Sequence, residues 1–309
     1  MSINHPSGCR KCAICNCRCC INKRTKCSHV KKQLALVDTR NGTANRHLLI
    51  LVRHGLSQGE IDKRYDGWND PDLSQLGTNQ ARRAGAALHQ AGFPVDLCYT
   101  SVLKRASKSL FLILDEMDLL WLQVHTTWRL NDRMIGALTG FQQDRADSLF
   151  GQSQLKEWLT RAQNAPPALE ESNPNHPRSD PKYRNISNVV PSTETLVDVQ
   201  KRILPLWYDE ISQNLNMGKN ILVVAHEETL KAIIRFINNY MTDEFSQNEL
   251  PVCIPIIFEF SSETQEIVNG YYLISSLLDQ VNSYQSKLFP SRFEQNIFPT
   301  FSDVCYFMS

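Results

Sequence analysis

The 309-residue chain is 42% hydrophobic and 21% charged, which excludes a wholly disordered or collagen-like polypeptide and leaves room for one to two packed domains. The formal net charge of +1 hides a segregation: residues 1–37 hold eight Lys or Arg and no Asp or Glu, so the other 25 basic and 32 acidic residues leave the body at −7. An acidic body with no recognition motif disfavours a nucleic-acid partner for the body, leaving weak polyanion binding to the basic tail, and the absence of any run of about 18 apolar residues excludes stable membrane insertion.

Residues 1–45 form a basic tail that holds seven of the ten cysteines, Cys9, Cys12, Cys15, Cys17, Cys19, Cys20 and Cys27. Three readings compete for it. Its lack of apolar residues points to a solvated, disordered segment. Cysteines beside a polybasic stretch suit S-acylation, and Cys9-x-x-Cys12-x-x-Cys15 with Cys27-x-His29 offers metal ligands, though no second Cys pair stands at finger spacing. The disordered tail leads, and no metal is assigned. With no 7–15-residue apolar run after the early basic residues, the tail is not a secretory signal, and the body is read as cytoplasmic with reduced thiols.

From residue 46 to about 275 the sequence alternates strands and helices. His47–Val52, Asp96–Thr100 and Asn220–Ala225 are short, continuous apolar runs of the kind that fill a buried parallel strand. Helical periodicity covers about 76–91, ending at Gly92; about 102–118, with Ser101 as N-cap; and about 193–215, opening after Ser192 and closing near Gly218. Two late strands are expected at Pro255–Phe260 and about Ile267–Leu273. The pattern predicts one α/β domain of three layers, a mostly parallel sheet with helices on both faces. The Pro-rich stretch 164–191 is an irregular excursion expected to roof a site, and 276–309, with its five phenylalanines, is an extension beyond the domain.

Ligands of such a sheet bind outside the carboxyl ends of its strands. The three buried runs end there in Arg53-His54-Gly55, in Ser101 with Lys104-Arg105, and in His226-Glu227-Glu228. Two histidines and two arginines on one edge suit a phosphate, because guanidinium groups bind its oxygens in pairs and a neutral imidazole can attack phosphorus. Arg-His-Gly alone is short enough to arise by chance; the joint arrangement is not.

More linked motifs follow in order: Arg53-His54-Gly55-x-Ser57, Arg64 with Gly67-Trp68, Asp72-Leu73-Ser74-x-x-Gly77, Thr100 to Ala106, Thr127 to Arg133, Leu138-Thr139-Gly140, Asn185-Ile186-Ser187, Pro191-Ser192-x-Glu194-x-Leu196, Ala225-His226 and Pro255-Ile256. From about Leu48 to Leu273 the chain resembles the cofactor-dependent phosphoglycerate mutases of the histidine phosphatase superfamily. The resemblance implies that His54 carries the phosphoryl group, that Arg53 and Arg105 clamp its oxygens, and that His226 stabilises transition-state charge. It places Asp132 where the family has a glutamate general acid and base, with the carboxyl recessed by about 1.5 Å, a displacement that costs on the order of 10²-fold in rate. It assigns Ser57, Glu60, Arg64, Asp66, Gly67, Arg133, Gln143, Glu194 and Glu227 to substrate binding, 2,3-bisphosphoglycerate to priming without a metal, and a homodimer as the assembly.

All but one of the charge-changing departures share a sign. Leu56 replaces a Glu, Glu60 an Asn and Asp66 a Thr; Met134 and Ile135 replace His or Arg and Tyr; Gln143 replaces a Lys; Leu159 and Thr160 align with two arginines, with Arg161 near enough to compensate; Glu227 and Glu228 replace Gly and Asn. Three cations lost and four anions gained, against one anion removed, change the charge expected near the site by about −6. The leading function is interconversion of 3-phosphoglycerate and 2-phosphoglycerate, a small phosphorylated three-carbon acid, through phosphohistidine at His54. The alternatives are a histidine phosphatase acting on a small phosphorylated metabolite and a catalytically weak paralogue serving as a binding or regulatory subunit.

Overall fold

The run that opens the domain forms β1 (Arg46–Arg53), and Leu49, Ile50, Leu51 and Val52 are fully buried because both faces of this strand are covered. The computed structural model describes residues 46–237 and 249–273. The Cys-rich tail and the extension 276–309 lie outside the described residues, and with them the disorder, acylation and metal readings of the tail.

β1 runs parallel to β4 (Ile221–Ala225) and antiparallel to β5 (Ile256–Ser261). With β2 (Leu97–Thr100), β3 (Val124–Thr126) and β6 (Ile267–Tyr272) the sheet has the order β3-β2-β4-β1-β5-β6. It is mixed, with β5 and β6 adding the antiparallel pairs. Alternate side chains separate two cores. Leu49, Leu51 and Val223 pack with the helices over Leu196–Leu206 and Glu227–Ile237, while Ile50, Val52 and Val224 pack with those over Gln75–Ala91 and Lys104–Glu116. Each such buried aliphatic side chain contributes about 1.5–3 kcal/mol. This is the three-layer arrangement read from the alternating pattern.

The first long helix starts where it was expected, with Ser74 accepting the Gly77 N–H and Gly92 ending it at φ +72°. The second does not. It begins at Lys104, and its N-cap position, Leu103, has no capping side chain. Ser101 Oγ instead contacts His226 and accepts the Leu103 N–H, and the Lys104 N–H is taken by Asp70 Oδ1 at 2.6 Å. The expected helix over 193–215 runs without interruption from Leu196 to Asn216, as Leu196–Leu206, a π turn over Trp207–Ile211 and Ser212–Asn216. Pro205 lies in its path, and a residue with no N–H leaves a gap in the hydrogen-bond ladder that a π turn accommodates. Its start is Thr195, which forms a capping box with Asp198, rather than Ser192. Short β3, the helices Gln143–Phe150 and Gln152–Thr160, and the helix Glu227–Ile237 complete the layers.

The stretch 164–191 is ordered by two 3₁₀ turns, Pro177–Ser179 and Pro181–Ile186. Tyr183, Leu169 and Val190 pack on Trp68 and Met134, the Tyr183 hydroxyl accepts from Asn131 Nδ2, and Lys182 pairs with Asp70. None of its residues lines the cleft described next. Its packing on Trp68 and Met134 supports residues next to Gly67, Arg133 and Ile135 of the cleft.

Candidate active site

Register brings the chemistry together. Arg53 pairs with Ala225 and Thr100 with Val224, so His54, Ser101 and His226 emerge side by side just past the carboxyl edge of β1, β2 and β4. The loop after β1 is held by close backbone approach: a Cβ on Gly55 would collide with the Gly77 carbonyl, and one on Gly77 with the Leu56 carbonyl. Beyond the edge opens a cleft of about 170 Å³ lined by Arg53, His54, Ser57, Glu60, Arg64, Tyr65, Asp66, Gly67, Arg105, Asp132, Arg133, Ile135, Glu227 and Glu228.

His54 is 3% exposed, and its Nδ1 lies 2.8 Å from the Gly55 carbonyl. A carbonyl only accepts, so Nδ1 carries the proton and Nε2 keeps its lone pair. Burial, assisted by the Arg105 and Arg53 charges, lowers the His54 pKa well below that of an ordinary imidazole and keeps the ring neutral. The His226 ring stands 4.9 Å away, centroid to centroid, at 65°. Its Nε2 is 2.7 Å from Ser101 Oγ, which already accepts the Leu103 N–H. With the hydroxyl donating to Nε2, the ring proton lies on Nδ1, a buried atom with no hydrogen-bond partner among the described residues, 3.8 Å from Asp132 Oδ2. Burial and then Arg105 hold His226 far below its usual pKa. It is therefore a neutral ring whose Nδ1 edge stands between His54 and Asp132.

The arginines are heavily engaged. Arg53 gives Nη2 to Glu60 at 2.6 Å and Nη1 to Glu227 and to the Leu250 carbonyl. Arg105, 2% exposed in its side chain, binds Asp132 at 3.0 Å and the carbonyls of Gly67 and Asn69. Arg133 donates to the carbonyls of Glu194, Trp158 and Asn164, leaving Nη1 3.7 Å from Glu228. Arg64 reaches the Gly140 carbonyl. Behind the rim Lys231 links Glu227 and Glu228. Burial raises the Asp132 pKa against the pull of Arg105. Burial, with Asp132 and Glu60 close by, raises Asp66 to about 6.

Of the site residues expected from sequence, Gln143 and Glu194 are not brought to the cleft. Gln143 is exposed at the start of its helix. Glu194 is a buried brace that receives Arg202 through Nε at 2.7 Å and Nη2 at 3.0 Å, and the Met134 N–H at 2.9 Å. Leu159 packs on the apolar side of Ile135, and exposed Arg161 pairs with Glu157, so Arg161 does not replace the missing cations. His226 lies just behind the lining. Sequence reasoning missed Tyr65, Ser101 as the partner of His226, and Lys231. Lys231 had a signal, a charged residue in the apolar stripe of the helix Glu227–Ile237 at i+4 from Glu227; Tyr65 had none beyond its place between Arg64 and Asp66.

Known structures share this architecture. A mycobacterial glucosyl-3-phosphoglycerate phosphatase superposes with a TM-score of 0.55 at 19% identity over 74% of this chain and 97% of that one. A putative α-ribazole-5′-P phosphatase from Escherichia coli gives 0.56 at 20% identity over 74% and 96%. A phosphoglycerate mutase from Bacillus anthracis gives 0.54 at 18% identity over 72% and 91%. Identities this low speak for the fold alone. The model of the histidine phosphatase superfamily, branch 1, matches residues 49–176 and 174–271, most of the chain. With His54 and His226 facing each other at the strand edge, the chain belongs to that superfamily.

Proposed function

We propose that the protein is a phosphatase acting on a small phosphorylated metabolite. His54 Nε2 attacks phosphorus, the P–O bond to the organic group breaks, and Asp132, whose raised pKa suits a proton donor, protonates the departing oxygen. Water then attacks phosphohistidine, giving its proton to Asp132, and orthophosphate leaves. Arg105 and the His226 Nδ1–H hold the phosphoryl oxygens through both steps. The observation that carries this reading is the Nδ1 contact with the Gly55 carbonyl, which aims a neutral Nε2 at the cleft.

Against a mutase stands the lining. A bisphosphoglycerate carries two phosphates and a carboxylate, and this cleft meets them with five carboxylates and four already engaged arginines. The residues present do not fit that group as a primer. The double carboxylate hold on Arg53 favours a second reading, a paralogue that binds without turnover.

Purified protein given 3-phosphoglycerate, with and without the bisphosphate, and para-nitrophenyl phosphate separates these readings when orthophosphate and 2-phosphoglycerate are followed beside a His54→Ala control. Orthophosphate without isomer is expected. Isomer formation would restore the mutase, and no product beyond the control would overturn both enzymes.

A further inference from the structure

Five carboxylates line the cleft: Glu60, Asp66, Asp132, Glu227 and Glu228. Four of them have partners. Glu60 and Glu227 hold Arg53, Glu228 meets Lys231, and Asp132 accepts from Arg105 and from the Arg133 N–H. The Asp66 carboxylate has no hydrogen bond or ion pair among the described residues. It lies against Gly59 on one side of the cleft, where Tyr65 and Ile135 supply further wall.

We propose that the substrate is a phosphate monoester whose organic part carries a cationic nitrogen, a small aminoalkyl phosphate, with the ammonium on Asp66 while the phosphoryl group faces His54. This rests on reading the His54 cleft as the phosphoryl site. The five carboxylates already balance the four arginines and Lys231 behind them, so a phosphate dianion makes the lining negative. A substrate carboxylate would add to that repulsion; a substrate ammonium relieves it and gives Asp66 its missing partner. Tyr65 offers an aromatic surface of the kind that accepts a cation. The volume agrees, since about 170 Å³ is well above the roughly 10–15 Å³ that one water needs on the same measure, room for a phosphoryl group and a short chain.

The test compares three probes of similar length that share a phosphate and differ at the far end: 2-aminoethyl phosphate, ethyl phosphate and 2-phosphoglycolate. Calorimetry on the full chain carrying His54→Asn, which blocks turnover, should rank them in that order, with at least a tenfold gap between first and last. Adding Asp66→Asn should shrink that gap below threefold. Equal or tighter binding of phosphoglycolate, a gap that survives Asp66→Asn, or no binding of any probe overturns the proposal. Should His54→Asn fail to fold, the thermal stabilisation of the native chain by the same probes must follow the same ranking. Failure of the phosphatase reading is seen separately, as no hydrolysis of para-nitrophenyl phosphate by the native chain, and leaves this ranking to decide on its own.

Discussion

Glu60→Gln should tighten the binding of orthophosphate. Glu60 Oε1 holds Arg53 Nη2 at 2.6 Å while Oε2 accepts the Ser57 N–H at 2.8 Å, and the side chain is 26% exposed. A phosphate near His54 feels this charge, and at an illustrative separation of ~6 Å one pair of unit charges costs about 0.7 kcal/mol at the dielectric of water and about 3 kcal/mol at an effective value of ~20. The cleft is open, so the lower figure governs, and a dianion repelled twice loses about 1.4 kcal/mol, a factor of about ten in affinity. Gln keeps the side-chain length and one accepting oxygen, so the Ser57 turn survives at a cost of about 1 kcal/mol of stability. Isothermal titration at one ionic strength, native beside variant, measures the change. An affinity that falls, or that stays within twofold, would refute the idea that Glu60 competes with the ligand for Arg53.

Three further outcomes follow from the same contacts. Glu194→Ala strands the buried Arg202 guanidinium and should cost about 3–5 kcal/mol in chemical denaturation; a stable variant with weakened ligand binding would mean that Glu194 serves the substrate after all. Asp66 binds its proton more tightly folded, with burial lifting it to about 6 from the ordinary 3.8, so it subtracts stability above pH 6 and none below pH 4. Asp66→Asn should therefore raise Tm at pH 7–8 by about 2–4 °C, for a penalty that solvent screening reduces to on the order of 1 kcal/mol, and the gain should vanish near pH 4; a gain that persists there would exclude this origin. Tyr183→Phe removes the hydroxyl that receives Asn131 and should lower stability by about 1 kcal/mol, read as a shift in denaturation midpoint, with no shift contradicting a structural role for the 164–191 segment.

Much of the frame was legible because buried parallel strands are written as unbroken apolar runs: His47–Val52 and Asn220–Ala225 lie within one residue of β1 and β4. Placement of His54, Arg105 and His226 at one edge followed from strand ends alone. What misled was competition for the same polar group. Ser101 looks like an N-cap, yet its hydroxyl is taken by His226, and Asp70, remote in sequence, supplies the cap. Glu194 and Gln143 align with binding positions, but a buried arginine claims the first and solvent the second. The charge change was read as about −6, and only part of it reaches the site: Glu60, Asp66, Glu227 and Glu228 line the cleft, whereas Gln143, Leu159 and Thr160 stand off it. Sequence marks which charges are present; the partners each one finds depend on folding.

Everything turns on whether His54 takes a phosphoryl group. The native chain, incubated with para-nitrophenyl phosphate, quenched in alkali to preserve phosphoramidate and digested, should yield an acid-labile phosphate on the peptide containing His54. His54→Ala should yield neither that label nor orthophosphate above background. Orthophosphate released at an undiminished rate by His54→Ala, or turnover by the native chain with no label at His54, would contradict the account.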